Sequence, residues 1–244
     1  MICKICKKNK LKEVLDLGRQ PLANKYPSGI KEINLERKYP LKLVFCNNCK
    51  ALQIKKIISR KIMFQDYYYL SSVNKNLVEH FNKLATSIKK SKFIVDIGSN
   101  DGILLKPLKR YGVKAIGVDP SKNIGKIANQ RGLKTIIDFF NNKTVEHIIK
   151  NYQKPDVIVA SSIFTHLKNP NDFMKNIKKL LSDNGLFILE IEHLMSFIKE
   201  NEFERFYFDR PFYYSLKSIK LLCDHLEMSL INVKKINIHG TSIR

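Results

Sequence analysis

Two stretches decide the fold: FIVDIGSNDG, Phe93 to Gly102, and GVKAIGVDP, Gly112 to Pro120. An apolar run stops at Asp96 and opens into a short glycine-containing turn. A helical pattern follows, then a second apolar run that ends on Asp119. Strand, tight turn, helix, strand and acid form the arrangement by which an open α/β sheet holds an adenosine-type cofactor. The turn is not G-x-G-x-x-G, because its glycines, Gly98 and Gly102, stand four apart. A dinucleotide wants the three-glycine form so that its pyrophosphate can sit on the helix N-terminus. A cofactor without phosphates needs close approach for its sugar and amino-acid tail instead. That favours S-adenosylmethionine over NAD.

The cofactor candidates follow from this placement. Asp96, Gly98, Ser99, Asn100 and Gly102 belong to the first strand and its turn. Asp119 ends the second strand, where a carboxylate can accept from both ribose hydroxyls, and Pro120 follows it. Asp138, at the end of a third strand, is positioned to reach the adenine edge, with Phe139 or Phe140 stacking on it. Asn100 or Asp101 would hold the cofactor amine or a water. Ser161, closing a fourth strand, completes the set.

Outward from the turn, strand and helix patterns alternate. Helices are expected over 74–88, 103–111, 121–132, 143–151, 171–185 and 216–226, and strands over 93–98, 114–119, 133–138, 156–162, 186–192 and 229–238. Ser121 is a candidate N-cap, and Gly132 and Gly185 are candidate stops. Near-continuous apolar strands in a βα repeat predict a doubly wound, mostly parallel α/β sheet covered on both faces, a Rossmann-like architecture.

Four of the five cysteines form two CxxC pairs, Cys3 with Cys6 and Cys46 with Cys49. Four thiolates suffice for a tetrahedral zinc ion. A redox CxxC would open a helix after a strand, and neither pair does. The pairs lie far from the cofactor turn in sequence, so the expected Zn2+ is structural. Cys223 falls on the apolar face of a helix and reads as core. The expected organisation is a zinc-binding module over 1–60, an aromatic and helical linker over 61–92, and the cofactor domain over 93–244.

The chain has 244 residues and is 44% hydrophobic, which suits a globular domain with a small extra module. No apolar stretch is long enough to cross a bilayer, and the basic N-terminus has no apolar segment behind it. Membrane insertion is therefore not expected, and a cytoplasmic location is the default. The formal charge is +22. Lysine greatly outnumbers arginine and is scattered through every element, unlike the arginine-led surfaces that read nucleic acid. The charge is read mainly as solvated faces, with an anionic small molecule favoured over a neutral one.

The chain also resembles a known group, the S-adenosylmethionine-dependent sugar C-methyltransferases that act on nucleotide-linked ketosugars. The resemblance runs along nearly the whole chain. It is carried by the paired cysteines, LDLGRQPLAN (15–24), YYYLSS (67–72), IGSNDG (97–102), GVDP (117–120), SSIFTHLKNPNDF (161–173), FILEIEHL (187–194) and HGTSIR (239–244). It implies a zinc module, the S-adenosylmethionine cofactor and an acceptor that is a sugar or a nucleotide-linked, phosphorylated small molecule, in surface carbohydrate such as capsule or lipopolysaccharide.

YFDRPFYYSL (207–216) stands where the family carries its Glu-His pair, so Asp209 and Arg210 occupy those positions. An arginine cannot serve as a base near neutral pH, but it can bind an anion. The family also continues past the HGTSIR region into a second α/β domain, whereas this sequence ends at Arg244. The leading expectation is therefore O-methylation, with His166 taking the proton and Asp209, Tyr67, Tyr69 and Glu190 as further catalytic candidates. Arg210, Tyr213 and His193 would contact the acceptor. Carbon methylation of a ketosugar is the first alternative. A zinc-bearing RNA-binding or RNA-modifying protein is the second.

Overall fold

The computed structural model describes residues 1–23, 27–59, 70–238, 240 and 242–244. The chain forms two compact units. The first takes in Met1–Asp66, Thr165–Pro170 and Glu192–Leu230, and the second Tyr67–Phe164, Asn171–Ile191 and Ile231–Arg244.

The second unit holds the expected sheet. Its strands are β4 (Phe93–Ile97), β5 (Lys114–Val118), β6 (Thr135–Ile136), β7 (Val157–Ser161), β8 (Leu186–Glu192), β10 (Lys235–Ile236) and β11 (Ser242–Ile243). They lie in the order β10-β11-β8-β7-β4-β5-β6. The pairs β4–β5, β4–β7, β5–β6 and β7–β8 are parallel, and β10–β11 is antiparallel. The strand order turns back at β4, which makes the C-terminal ends of β4 and β7 a topological switch point, where ligands bind in open α/β sheets.

All five residues of β4 are buried, as a sheet covered on both faces requires. The helices of this unit are α2 (Lys75–Ile88), α3 (Leu105–Arg110), α4 (Lys122–Gln130), α5 (Asn142–Asn151) and α6 (Pro170–Leu180). On α2, Leu77, Phe81, Leu84, Ala85 and Ile88 form a buried stripe at helical spacing, packed in one core with Ile94, Val157 and Val159 of the sheet. The Asn74 side chain caps α2 by accepting from the Leu77 amide at 3.1 Å.

The first unit is built on a four-stranded sheet, β1-β2-β3-β9. Here β1 is Leu11–Gln20, β2 Tyr39–Cys46, β3 Leu52–Ile54 and β9 Phe212–Tyr213. A short helix, α1 (Ile30–Leu35), joins β1 to β2, and α7 (Leu194–Lys199) and α8 (Leu216–Asp224) lie in the later segment. Leu41, Leu43, Leu52, Ile54, Leu194, Phe197, Phe208 and Tyr213 share its core.

Several expectations shift. The zinc unit extends past 1–60, because β9 adds a strand to its sheet through Leu52↔Tyr213 and Gln53↔Phe212. Helix α2, assigned in sequence to a linker, packs on the large sheet. The single strand expected over 229–238 is only the two-residue β10, because its partner β11 offers two paired residues. Helix α6 ends at Leu180, and Gly185 closes a separate turn by donating to the Ser182 carbonyl at 2.9 Å. Ser121 stands at the N-cap of α4 without a side-chain capping bond. Gly132 does follow α4 as expected, with φ +69°. Cys223 is buried on α8, as expected. Among the described residues, no helix is long and apolar enough to cross a membrane.

Candidate active site and metal centre

The cofactor turn is held by its own backbone. Gly98, Asn100 and Gly102 have φ of +76°, +48° and +83°. Such values favour glycine, and asparagine tolerates them. A Cβ on Gly98 would also stand 2.2 Å from Ile163 Cγ2. Gly98 N donates to the Val118 carbonyl at 2.8 Å, seating the turn on the end of β5. A Cβ on Gly117, beneath it, would meet Ser99 Oγ at 2.2 Å. The Ser99 hydroxyl thus lies against β5, buried and without a hydrogen-bond partner among the described residues.

Asp119 is buried and fixed by two amides. Asn100 N donates to Oδ2 and Ser121 N to Oδ1, each at 2.9 Å. Each oxygen keeps a second lone pair, which suits a carboxylate that receives two vicinal hydroxyls. The residues present therefore fit an adenosine cofactor: a glycine turn with close backbone, and beside it a pre-oriented carboxylate. Asp96 lies wholly buried beneath the turn. Burial, aided by the charges of Asp119 and Glu190, pushes its carboxyl up to about 8.

Other turn side chains do different work than expected. The Asn100 side chain accepts from Ser71 N at 2.9 Å, and Asp101 accepts from Ser72 N at 3.3 Å, from the Ser72 hydroxyl and from Arg131 Nη1 at 3.1 Å. Both side chains fasten the entry to α2 onto the turn. Asp138 lies two residues past the end of the short β6 and accepts from Phe139 N at 2.7 Å. Phe139 is 50% exposed, whereas Phe140 packs edge-on against Phe173 at 5.1 Å. Of the two rings, Phe139 remains the one accessible for stacking. Pro120 is exposed directly after Asp119.

Glu190 corrects its expected catalytic role. It is 0% exposed, yet its carboxylate stays ionised: burial raises its pKa, but hydrogen bonds from His80 and Ser161 and the charges of His80 and Arg244 outweigh that and hold it below its ordinary value. His80 Nε2 lies 2.9 and 3.0 Å from its two oxygens, Ser161 Oγ donates at 2.6 Å, and Arg244 Nε donates at 2.6 Å. A carboxylate this saturated is a brace rather than a proton acceptor. Ser161, expected at the cofactor, is committed to that brace. His80 and Arg244 were not singled out in sequence, because the pairing spans 110 and 54 residues.

In the first unit, His166 Nδ1 lies 2.6 Å from the Asp209 carbonyl. A carbonyl can only accept, so Nδ1 carries the proton and the neutral ring has its basic lone pair on Nε2. Burial, opposed by the Arg210 charge, pushes the Asp209 carboxyl up to about 6, and its Oδ1 has no hydrogen-bond partner among the described residues. Arg210 Nη2 pairs with Glu192 Oε1 at 2.8 Å, its guanidinium lies 4.9 Å over the Tyr207 ring, and its Nε and Nη1 are buried without partners. Burial holds the Glu192 carboxyl above its ordinary value against the charges of Arg210 and Arg205.

Tyr213 is 0% exposed, its hydroxyl donating to the Arg205 carbonyl and accepting from Tyr207 N, each at 3.2 Å. It is core, not the acceptor contact expected. His193 stands at the N-cap of α7 without a side-chain capping bond, its backbone bridged to Tyr214. Tyr67 and Tyr69 lie outside the described residues.

The four paired cysteines are buried, and their sulfurs lie within 4.8 Å of one another. Cys3 and Cys49 sulfurs stand 3.7 Å apart, and Cys6 and Cys46 sulfurs 3.5 Å. Four sulfurs about 2.3 Å from a central zinc stand about 3.8 Å apart, so the set fits a zinc tetrahedron. The two knuckles repeat one geometry. Lys7 N bonds back to the Cys3 carbonyl and Lys50 N to the Cys46 carbonyl, with φ of +58° and +60°. Gln53 Nε2 donates to Cys3 Sγ at 3.1 Å while its Oε1 accepts from Lys4 N, an outer contact that fixes one ligand. This closed four-thiolate shell leaves no open position and is structural.

Fold and site together define a methyltransferase-type cofactor domain joined to a zinc module. A family model described as "Methyltransferase domain" matches residues 69–231, and a second model, whose description names a zinc binding domain, matches 3–64. The chain belongs to the methyltransferase-domain family. It is 26% identical to the C-methyltransferase NovU of Streptomyces niveus over 99% of its own length, spanning 59% of that relative. It is 29% identical to a ubiquinone biosynthesis O-methyltransferase of Pelagibacter ubique over 48% of its length and 49% of that protein. Among solved structures, a SAM-dependent methyltransferase from Archaeoglobus fulgidus shares the fold with a TM-score of 0.57 at 14% identity, covering 67% of this chain and 72% of that one. A magnesium protoporphyrin IX methyltransferase from Synechocystis, with SAM bound, aligns with a TM-score of 0.51 at 13% identity, covering 69% and 76%.

Two outcomes check the site. Metal analysis of purified protein will find close to one zinc per chain, and Cys46→Ser will abolish it. Asp119→Ala will weaken S-adenosylhomocysteine binding about a hundredfold or more by calorimetry, the cost of two hydrogen bonds to a charged group.

Proposed function

We propose that the protein transfers the methyl group of S-adenosylmethionine to a carbon atom of a nucleotide-linked ketosugar. The observation that carries the choice of carbon is the extent of similarity: a C-methyltransferase matches 99% of the chain, whereas the O-methyltransferases match about half or less. This displaces O-methylation, the leading expectation from sequence. The ketosugar acceptor rests on the sequence resemblance, and surface carbohydrate as its destination on that resemblance alone.

S-adenosylmethionine supplies a methyl group on a positively charged sulfur. The protein's residues supply position and a proton acceptor. The glycine turn and Asp119 hold the adenosine and amino-acid portions. A base removes the proton next to the ketone. The carbon so deprotonated would take up the methyl group that the bound cofactor supplies, the sulfur keeping the electron pair of the broken S–CH3 bond. Much of the acceleration comes from alignment of the reacting atoms.

Arg210 cannot be that base, and the sequence resemblance, which sets Asp209 where the family has the Glu of its Glu-His pair, makes Asp209 the proposed base. A carboxyl pushed up to about 6 is largely ionised at neutral pH yet more basic than an ordinary aspartate. His166, with its Nδ1 held by the Asp209 carbonyl, is the second proton carrier.

Incubation with 13C-methyl S-adenosylmethionine and nucleotide-linked ketosugars will give a product carrying a C-methyl carbon resonance. An O-methyl resonance would overturn the reading. A base must be deprotonated to act, so the Asp209 carboxyl makes the rate fall as the pH drops through about 6. Asp209→Asn will lower kcat about 100-fold or more and remove that acid limb.

A further inference from the structure

A cavity of about 380 Å³ lies beside the Glu190 brace in the second unit. Asn76, His80 and Lys83 project into it from α2, with Glu79 between them. The spacing 76-79-80-83 is that of one helix face, so one polar stripe of α2 forms a wall. Lys234 and Asn237 line it from either side of β10, and Arg244 completes it. Four nitrogen bases or cations thus face one carboxylate, Glu79, which is itself paired with Lys83.

The floor of the cavity is built rather than incidental. The side chains of His80 and Arg244 are 14% and 16% exposed and fixed by the same buried carboxylate. Arg244 spends Nε and Nη2 on Glu190, and among the described residues its Nη1 takes no protein partner. Lys234 is exposed at the rim, and no ion pair joins it to a described carboxylate.

The position of the cavity bears on what it holds. Glu190 lies near the C-terminal end of β8, opposite Ser161 of β7, and its charge acts on Asp96 below the cofactor turn. His80 and Arg244, which line the cavity, thus also hold the residue whose charge reaches the cofactor turn. The cavity's basic rim and two amides suit an anion with several acceptor oxygens.

We propose that this cavity binds the diphosphate of the acceptor, with Arg244 and His80 at its floor and Lys83 and Lys234 at its rim. The inference rests on the reading of the acceptor as nucleotide-linked. It assigns the anion to a site other than Arg210.

The test is calorimetry with inorganic diphosphate, using wild type, Lys83→Ala/Lys234→Ala and a control, Lys150→Ala/Lys178→Ala, which removes equal charge from exposed positions on α5 and α6. S-adenosylhomocysteine binding reports that each variant is folded. The expected result is diphosphate binding by wild type and control, weakened about tenfold or more in the cavity variant, with S-adenosylhomocysteine affinity unchanged. Equal loss in both variants would mean a general surface field and would overturn the proposal, as would no binding to wild type. Methyl transfer to a nucleotide-linked acceptor with unchanged KM in the cavity variant would sink the cavity and leave the proposed function standing. Diphosphate binding as expected without carbon methylation would do the reverse.

Discussion

A carboxylate shut away from water governs the assembly of the methyltransferase unit. Placing an ionised carboxylate in a protein interior costs several kcal/mol unless its lone pairs are filled. Glu190 meets that requirement with His80, Ser161 and Arg244, drawn from α2, from β7 and from the far end of the sequence. None of these elements can shift without leaving a buried charge uncompensated. The brace therefore fixes α2 against the sheet and folds the last residues back beside β8. It also turns the His80 and Arg244 side chains toward a cavity. The same charge reaches Asp96, so the electrostatics of the cofactor turn and of the cavity are set partly by one residue.

The two units reach order by different routes. In the methyltransferase unit, apolar strands and a helix stripe form the core, and the cofactor turn is shaped by left-handed residues and by amides locked to Asp119. In the other unit, four thiolates and a small apolar cluster share the task, with a short strand from residues 212–213 closing the sheet. A metal suits that position, because a small sheet buries too little apolar surface to hold itself together well.

What was legible in the sequence follows from the range of each interaction. The βα alternation, the turn at Gly98–Gly102, Asp119 and the two cysteine knuckles are local patterns, and all were read directly. The role of Glu190 was misread, because position at a strand end suggests a ligand contact and the partners that saturate it lie 110, 29 and 54 residues away. Tyr213 was misread for the same reason: its aromatic motif gave no sign that β9 joins a sheet begun at residue 11. Asn100 and Asp101 looked like cofactor contacts because they sit in the turn, yet their side chains point back to Ser71 and Ser72. The cavity had no local signature beyond the polar stripe of α2, since its other wall comes from residues 234–244.

The central claim is that the turn and Asp119 hold S-adenosylmethionine, and a crystal structure with S-adenosylhomocysteine tests it most directly. The account predicts both ribose hydroxyls at about 2.6–3.2 Å from the Asp119 carboxylate, with the amino-acid tail against the Gly98–Gly102 backbone. A ligand bound elsewhere, or a ribose out of reach of Asp119, would contradict it.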